Sequence, residues 1–232
     1  MDISSKDLRQ VIVFQNATDE DLNLILKNSI ARSIEEGGFF FFQGDHAEYL
    51  YILISGQAKL QQSHPNGQQV NLRTIQPWQM FGALGSVRKE ATYPATAQAL
   101  EDCTALAIKS GFLHGMLETH PQIAFDLMNL MTTYIQEMQA RYRELATERV
   151  EQRVANALIR LAGQSGVRAE KEAVIVLSFS RQDVAEMTGT TLYTVSRLLS
   201  EWERQGIIET GRERISIIKP HDLVRIANGL EK

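Results

Sequence analysis

Apolar and polar positions along this chain change their period several times, and each change marks a different kind of element. In residues 4–34, "SSKDLRQVIVFQNATDEDLNLILKNSIARSI", Thr18 is a hydroxyl cap followed by Leu22, Ile25 and Leu26 at helical spacing, so the segment predicts short helices packed on the neighbouring part of the chain. From Gly37 to about Lys109 the texture becomes short β-branched or aromatic runs separated by glycine turns, as in "GGFFFFQGD", "EYLYILISGQAKLQQ" and "MFGALGS". Alternation of period two runs through Leu50, Ile52 and Ile54, and again through Val70, Leu72 and the nearby Ile75. Asn66-Gly67 between two such runs predicts a hairpin, since both residues tolerate positive φ. Many short strands at this spacing predict a sandwich or barrel rather than βαβ units.

After Pro121 the pattern is helical for more than thirty residues without glycine or proline. Met128, Met131, Ile135, Met138, Tyr142 and Leu145 fall at spacings of 3, 4, 3, 4 and 3, which is a heptad seam. Leu127, Leu130 and Tyr134 form a second stripe on another side. Two apolar stripes need two covering surfaces, so one is expected on the chain's own β domain and the seam on a second copy, giving a parallel homodimer. The alternative is a monomer whose core takes both. A further helix is expected from about Thr147 to Ala162, ending at Gly163, then a polar loop "GQSGVRAEKEA" and a short strand in "VIVLSFS".

The next stretch, "SRQDVAEMTGTTLYTVSRLLSEWERQG", carries two short helical patterns a few residues apart. Ser180 caps the first, Ala185 permits close approach, Gly189 turns the chain, and the second starts near Thr191 with Val195, Leu198 and Trp202 as its buried stripe. This is the spacing of a helix-turn-helix, and it leaves Thr191, Tyr193, Thr194, Ser196 and Arg197 on the other faces. Arg197 is the candidate for base readout, because its fork matches guanine O6 and N7. Ser196, Thr191 and Thr194 suit a phosphate or base edge, with capping as the alternative role for a hydroxyl here; Arg181 and Gln182 stand at the start of the first helix. "IIETGRERISII" then predicts two strands about Gly211, a wing with Arg212 and Arg214 at its tip as candidate phosphate contacts.

Charge sharpens this picture. The chain carries a formal −4, but residues 1–148 hold 11 Lys/Arg against 17 Asp/Glu while residues 149–232 hold 13 against 11, so the cationic end is the one with the helix-turn-helix. With 44% hydrophobic and 22% charged residues and no membrane-length apolar run, the chain reads as a soluble globular protein. The N-terminus lacks the basic-then-apolar pattern of a secretory signal, so a cytoplasmic location is expected. One cysteine, Cys103, excludes an intramolecular disulfide and a multi-cysteine cluster within one chain. It lies in the alternating run "EDCTALAI", where a cysteine is usually a small core residue. No G-x-S-x-G, G-x-x-x-x-G-K-[ST] or H-E-x-x-H spacing occurs, which argues against an enzyme, and no metal site is expected.

Over nearly its full length the sequence resembles the CRP/FNR superfamily of dimeric bacterial transcription regulators. "QGD", "ISGQAKL", "NGQQV" and "MFGALGS" are similar to its cyclic-nucleotide-binding-type jelly roll, the long helix to its dimerisation helix, and the segment from Ser180 to Ile208 to its DNA-binding domain. The resemblance implies an α+β chain with a β jelly-roll sensor over residues 1–120, a dimerisation helix over 121–146 and a winged helix-turn-helix domain over 147–232. It also implies double-stranded DNA, a second copy of the chain, RNA polymerase and an effector as partners. Two departures stand out. Where nucleotide-binding members hold a ribose-binding glutamate this chain has Ala83, and their Arg-Ser or Arg-Thr pair for the cyclic phosphate falls on Tyr93-Pro94. A closed pocket for an anionic phosphate needs cations or donors, so cyclic AMP or GMP is not expected in a pocket formed by Ala83, Tyr93, Pro94 and Thr96. Iron–sulfur sensing is not expected either, since it needs four cysteines and the chain has one. Haem is an alternative effector, with His46, His64, His114 and His120 as candidate axial ligands, and a small metabolite or no ligand at all is another. The second departure is Tyr193, four residues before Arg197, where members reading a TTGA-type half-site usually carry glutamate. A sensor-fold regulatory subunit without DNA binding is the rival function, and the complete winged helix argues against it.

Overall fold

The computed structural model of the chain describes residues 3–63, 69–83, 88, 90–165, 167–168, 175–211 and 214–230. The chain divides into two compact units, Met1–Glu137 and Met138–Lys232.

The first unit opens with α1 (Ser5–Leu8), a 3-10 turn at Ile12–Phe14 and α2 (Asp19–Lys27). Thr18 caps α2 as expected, its hydroxyl accepting from Asp21 N at 3.2 Å while Asp21 reaches back to Thr18 N. The helical reading fails for Ser29–Ile34, which is strand β1, paired antiparallel with strand β8 (Cys103–Lys109) from Ser29↔Ile108 to Ile34↔Cys103. Four of its six residues are exposed, so it has no alternating apolar face to betray it. Eight strands build a two-sheet roll: β1 (Ser29–Ile34), β8 (Cys103–Lys109), β3 (Tyr49–Ser55) and β6 (Met80–Phe81) in that order form one sheet, and β2 (Phe39–Phe41), β7 (Thr96–Ala99), β4 (Ala58–Ser63) and β5 (Gln69–Ile75) form the other.

Strand β3 is buried on both faces, and the two faces feed two cores. Leu50, Ile52 and Ile54 pack against the N-terminal helices, α3 (Ser110–Thr119) and the first half of α4 (Pro121–Thr147). Tyr51 and Leu53 face between the sheets, among Phe41, Phe81, Tyr93, Ala58, Ala97 and Ala105.

In β5 the apolar alternation does not mark the core face. Val70 and Leu72 are exposed, while Asn71 and Thr74 are buried with Lys59 and Gln61, which they oppose on β4. A bulge in the pairing supplies the reason. Leu60 opposes Arg73 and Gln61 opposes Asn71, so Leu72 is an extra residue that shifts the side-chain phase by one. The strands join Ser63 to Gln69 as a hairpin, and the Asn66-Gly67 turn itself lies outside the described residues.

Helix α4 carries both apolar stripes, except that Met131, assigned to the seam by its spacing, packs on the first core. Ile123, Leu127 and Leu130 are buried in the first core with Tyr134 and Met131 packed beside them, whereas Met128, Ile135, Met138, Tyr142 and Leu145 are each more than half exposed.

The second unit continues with α5, Val150–Ser165, which runs through Gly163 instead of ending there. A glycine inside a helix costs only about 1 kcal/mol, and the buried Val154, Leu158 and Leu161 face offsets it. Then come α6 (Arg181–Thr188), α7 (Leu192–Arg204) and α8 (Pro220–Ala227), with a small sheet in the order β11 (Ile208–Gly211), β12 (Arg214–Ile217), β10 (Ile175–Leu177), β9 (Val167–Arg168). Among the described residues no helix is long and apolar enough to cross a membrane.

Candidate nucleic-acid interface and sensor site

The α6–α7 pair is fixed from both ends. Ser180 Oγ accepts from Asp183 N at 3.1 Å and Asp183 Oδ2 accepts from Ser180 N at 3.0 Å, closing a capping box on α6. Gly189 ends that helix at φ 61°, a left-handed conformation that strains a residue with a Cβ; such an atom would also sit 3.2 Å from Leu145 Cδ2. Thr191 is the N-cap of α7, with Thr194 N donating to its hydroxyl at 3.2 Å. Of the hydroxyls put forward for DNA, Thr191 is thus engaged in capping, and Thr194 Oγ1 lies 3.0 Å from it.

Val195, Leu198 and Trp202 are buried as expected, joined by Leu199, which completes the i, i+4 row from Val195. The opposite face carries Tyr193, 78% exposed, and Arg197, exposed and without a hydrogen bond or ion pair among the described residues. Ser196 is half-buried at the edge of that face. Continuing at helical spacing, the same row takes in exposed Ser200 and Arg204, which the motif spacing did not single out; extending the spacing of Tyr193 and Arg197 by 3 and 4 would have found both. Arg204 is paired with Glu201. A free guanidinium and a phenol at the exposed start of a short helix can reach base edges, and the arginine can do so bidentately.

The remaining candidates behave differently from one another. Gln182 donates to Glu186 Oε1 at 3.0 Å. Arg181 donates from Nη2 to Thr210 Oγ1 at 2.9 Å. Arg214 is exposed at the wing, its Nε 3.4 Å from Ser216 Oγ, and Arg212 lies outside the described residues.

In the first unit the four residues expected to line an effector pocket differ in their surroundings. Ala83 and Tyr93 are buried, Pro94 is exposed, and Thr96 lies on the sheet face opposite Ala97, where its hydroxyl accepts from Gln43 N at 2.9 Å. Tyr93 stacks on Phe41 with ring centroids 3.7 Å apart. Its hydroxyl donates to Tyr49 O at 2.5 Å and accepts from Tyr49 N at 3.0 Å. Burial pushes the Tyr93 phenol well above its ordinary range, so it is neutral. Gly82 is held against this cluster: a Cβ there would meet the Tyr93 and Phe41 rings at 3.2 and 3.3 Å. The position to which the resemblance assigns the arginine of the cyclic-phosphate site thus holds a neutral stacked ring whose hydroxyl is bonded to the Tyr49 backbone.

Of the candidate haem ligands, His46 is exposed, His114 pairs with Glu118 at 3.5 Å, His120 Nε2 lies 2.9 Å from Asp21 Oδ1, and His64 is outside the described residues. Cys103 is buried and its Sγ lies 3.1 Å from Gln57 O; burial and the nearby Glu101 charge push its thiol up to about 11, which suits a core residue and not a reactive thiolate.

Residues 31–120 match the cyclic nucleotide-binding domain family and residues 152–226 the Crp-like helix-turn-helix domain family. The chain is 27% identical to the "Anaerobic regulatory protein" of Bacillus subtilis over 88% of its own length and 87% of that protein's, and 28% identical to the "Cyclic AMP receptor protein" of Thermus thermophilus over 94% and 97%. Among solved structures, FixK2 from Bradyrhizobium japonicum shares the fold with a TM-score of 0.75 at 20% identity, covering 85% of this chain and 96% of that one. A sensor-type β roll followed by a helix-turn-helix domain defines a DNA-binding transcription regulator. More particularly, the chain belongs to the CRP/FNR superfamily.

Proposed function

We propose that the protein is a homodimeric regulator that reads a two-fold symmetric DNA site through Arg197 and Tyr193, and that it does so without a cyclic nucleotide. The observation that carries the DNA half is the exposed row on α7, headed by an arginine with no partner among the described residues. Arg197 serves base readout, Tyr193 replaces the carboxylate acceptor beside it, and Arg181, Arg214 and Arg212 supply phosphate contacts. With two copies related by a two-fold axis, half-sites lie about one helical turn, roughly 34 Å, apart.

Dimerisation is supported by the exposed seam of α4, whose five large apolar residues at heptad spacing would otherwise stay in water. Nucleotide independence is supported by the Phe41–Tyr93 stack at the phosphate position. A cytoplasmic location follows for a protein that acts on DNA beside RNA polymerase. The test pairs sedimentation with DNA binding. The protein is expected to sediment as a dimer and to bind one duplex per dimer with an affinity unchanged by millimolar cyclic AMP or cyclic GMP. A Met138→Glu, Tyr142→Glu variant is expected to be monomeric and to lose the two-fold site. Tighter binding on adding either nucleotide, or full binding by a monomeric variant, contradicts the reading.

A further inference from the structure

The winged domain contains a hydrogen-bonded chain that joins its three DNA-facing elements at one hydroxyl. Arg181 is the first residue of α6, Glu203 lies in the last turn of α7, and Thr210 is on the wing strand β11. Arg181 Nη2 donates to Thr210 Oγ1 at 2.9 Å; that hydroxyl has one proton to give, and it donates to Glu203 Oε1 at 3.0 Å. Thr210 N donates to the same carboxylate oxygen at 2.8 Å. The bonds form one polarised line from guanidinium through hydroxyl to carboxylate, in which each bond strengthens the next.

We propose that Glu203 and Thr210 are positioning residues that hold the Arg181 guanidinium in place for a DNA phosphate. Glu203 is exposed and acidic on the helix that faces DNA, where a carboxylate would ordinarily oppose binding. Its role becomes intelligible if its charge is spent on Thr210 and Arg181. Both hydrogen bonds from Thr210, with the Arg181 charge beside them, hold its carboxyl below the usual range, so it keeps its charge at neutral pH. The remaining N–H groups of Arg181 have no partner among the described residues and stay available to a phosphate. A long side chain held in advance gives up less rotamer freedom on binding than a free one.

This inference rests on the reading of Arg181 as a phosphate contact, and the experiment separates the two. Full-length protein is titrated into a random-sequence duplex and a duplex carrying the selected site, over a range of salt concentrations. Arg181→Ala is expected to weaken binding to both duplexes alike and to lower the slope of log K against log salt by about 1.8, one phosphate contact of about 0.9 from each subunit. Thr210→Val and Glu203→Ala are each expected to weaken both duplexes by roughly 3- to 10-fold with unchanged sequence preference, and to have no further effect when combined with Arg181→Ala. Thr210→Ser, which keeps the hydroxyl, is expected to bind as the parent protein does. The sign at Glu203 is decisive: removing an acid from a DNA-facing surface strengthens binding by simple charge, and the positioning role requires it to weaken. Glu203→Ala at an exposed position leaves the fold intact should Thr210→Val disturb it. An unchanged affinity and slope in Arg181→Ala would sink the phosphate reading; a weakened Arg181→Ala beside tight-binding Glu203→Ala and Thr210→Val would sink the positioning role alone.

Discussion

Replacing Arg197 with alanine isolates base readout from everything else in the molecule. Its side chain is exposed and makes no hydrogen bond or ion pair among the described residues, so its removal is expected to change stability by no more than about 0.5 kcal/mol. Whatever is lost in DNA binding therefore belongs to the complex. A bidentate arginine–guanine pair discriminates by about 1–3 kcal/mol, roughly 5- to 150-fold per half-site, so a dimer that loses both pairs should lose about 2–6 kcal/mol for the selected site. Binding to a random duplex should fall far less, by no more than one phosphate contact per subunit would give. Arg197→Lys sharpens the comparison, since it keeps the charge and loses the fork: non-specific binding should be retained while preference for guanine at one position of each half-site collapses. The assay is fluorescence anisotropy at fixed salt with duplexes substituted one base pair at a time. A variant that loses affinity equally for every sequence would refute the reasoning, because Arg197 would then be a phosphate contact. A variant that keeps the preference would place base readout elsewhere on the domain.

Three further outcomes are expected from the packing. Gly189→Val should destabilise the winged domain by about 2 kcal/mol, from positive φ and the 3.2 Å approach of Leu145, read as a lower denaturant midpoint with unchanged slope. Tyr93→Phe removes the hydroxyl that both donates to and accepts from Tyr49, and should cost the β roll about 1–3 kcal/mol in a thermal or denaturant scan without altering DNA preference. Cys103, raised to about 11 from an ordinary thiol value of 9.0, stabilises the fold fully below pH 9; that contribution should fade as pH rises from 9 through 11, and Cys103→Ala should flatten this part of the stability profile after the common loss from Tyr93 is allowed for.

The sequence pattern announced the winged domain more completely than the roll. In α6 and α7 each signal is local: Ser180 meets Asp183 three residues on, Gly189 turns, and Val195, Leu198 and Trp202 repeat at helical spacing, so no distant contact is needed to see them. Leu199 escaped notice only because the stripe is wider than the minimal motif. In the roll, identity depends on pairing with distant strands. Ser29–Ile34 is a strand because β8 offers it a partner, and nothing in its own mostly exposed residues says so. The faces of β5 are set by the bulge at Leu72, which no period-two reading reveals. Helix α5 passes Gly163 because tertiary packing outweighs a weak local preference. The Ala83 and Tyr93 departures were legible as missing charge, but the stack on Phe41 was not, since the "FFFF" run alone does not tell which ring turns inward. The Glu203–Thr210–Arg181 chain was equally hidden, being made by residues from three elements.

A dimer that reads a symmetric DNA site with no cyclic nucleotide is tested by selection of bound sequences from random duplex DNA by the purified protein at stated salt, with no nucleotide added. Enrichment is expected of a two-fold symmetric site with half-sites about one helical turn apart, each holding a guanine whose enrichment disappears in Arg197→Ala. No enriched sequence from a folded dimer, or enrichment only when cyclic AMP or cyclic GMP is supplied, would contradict it.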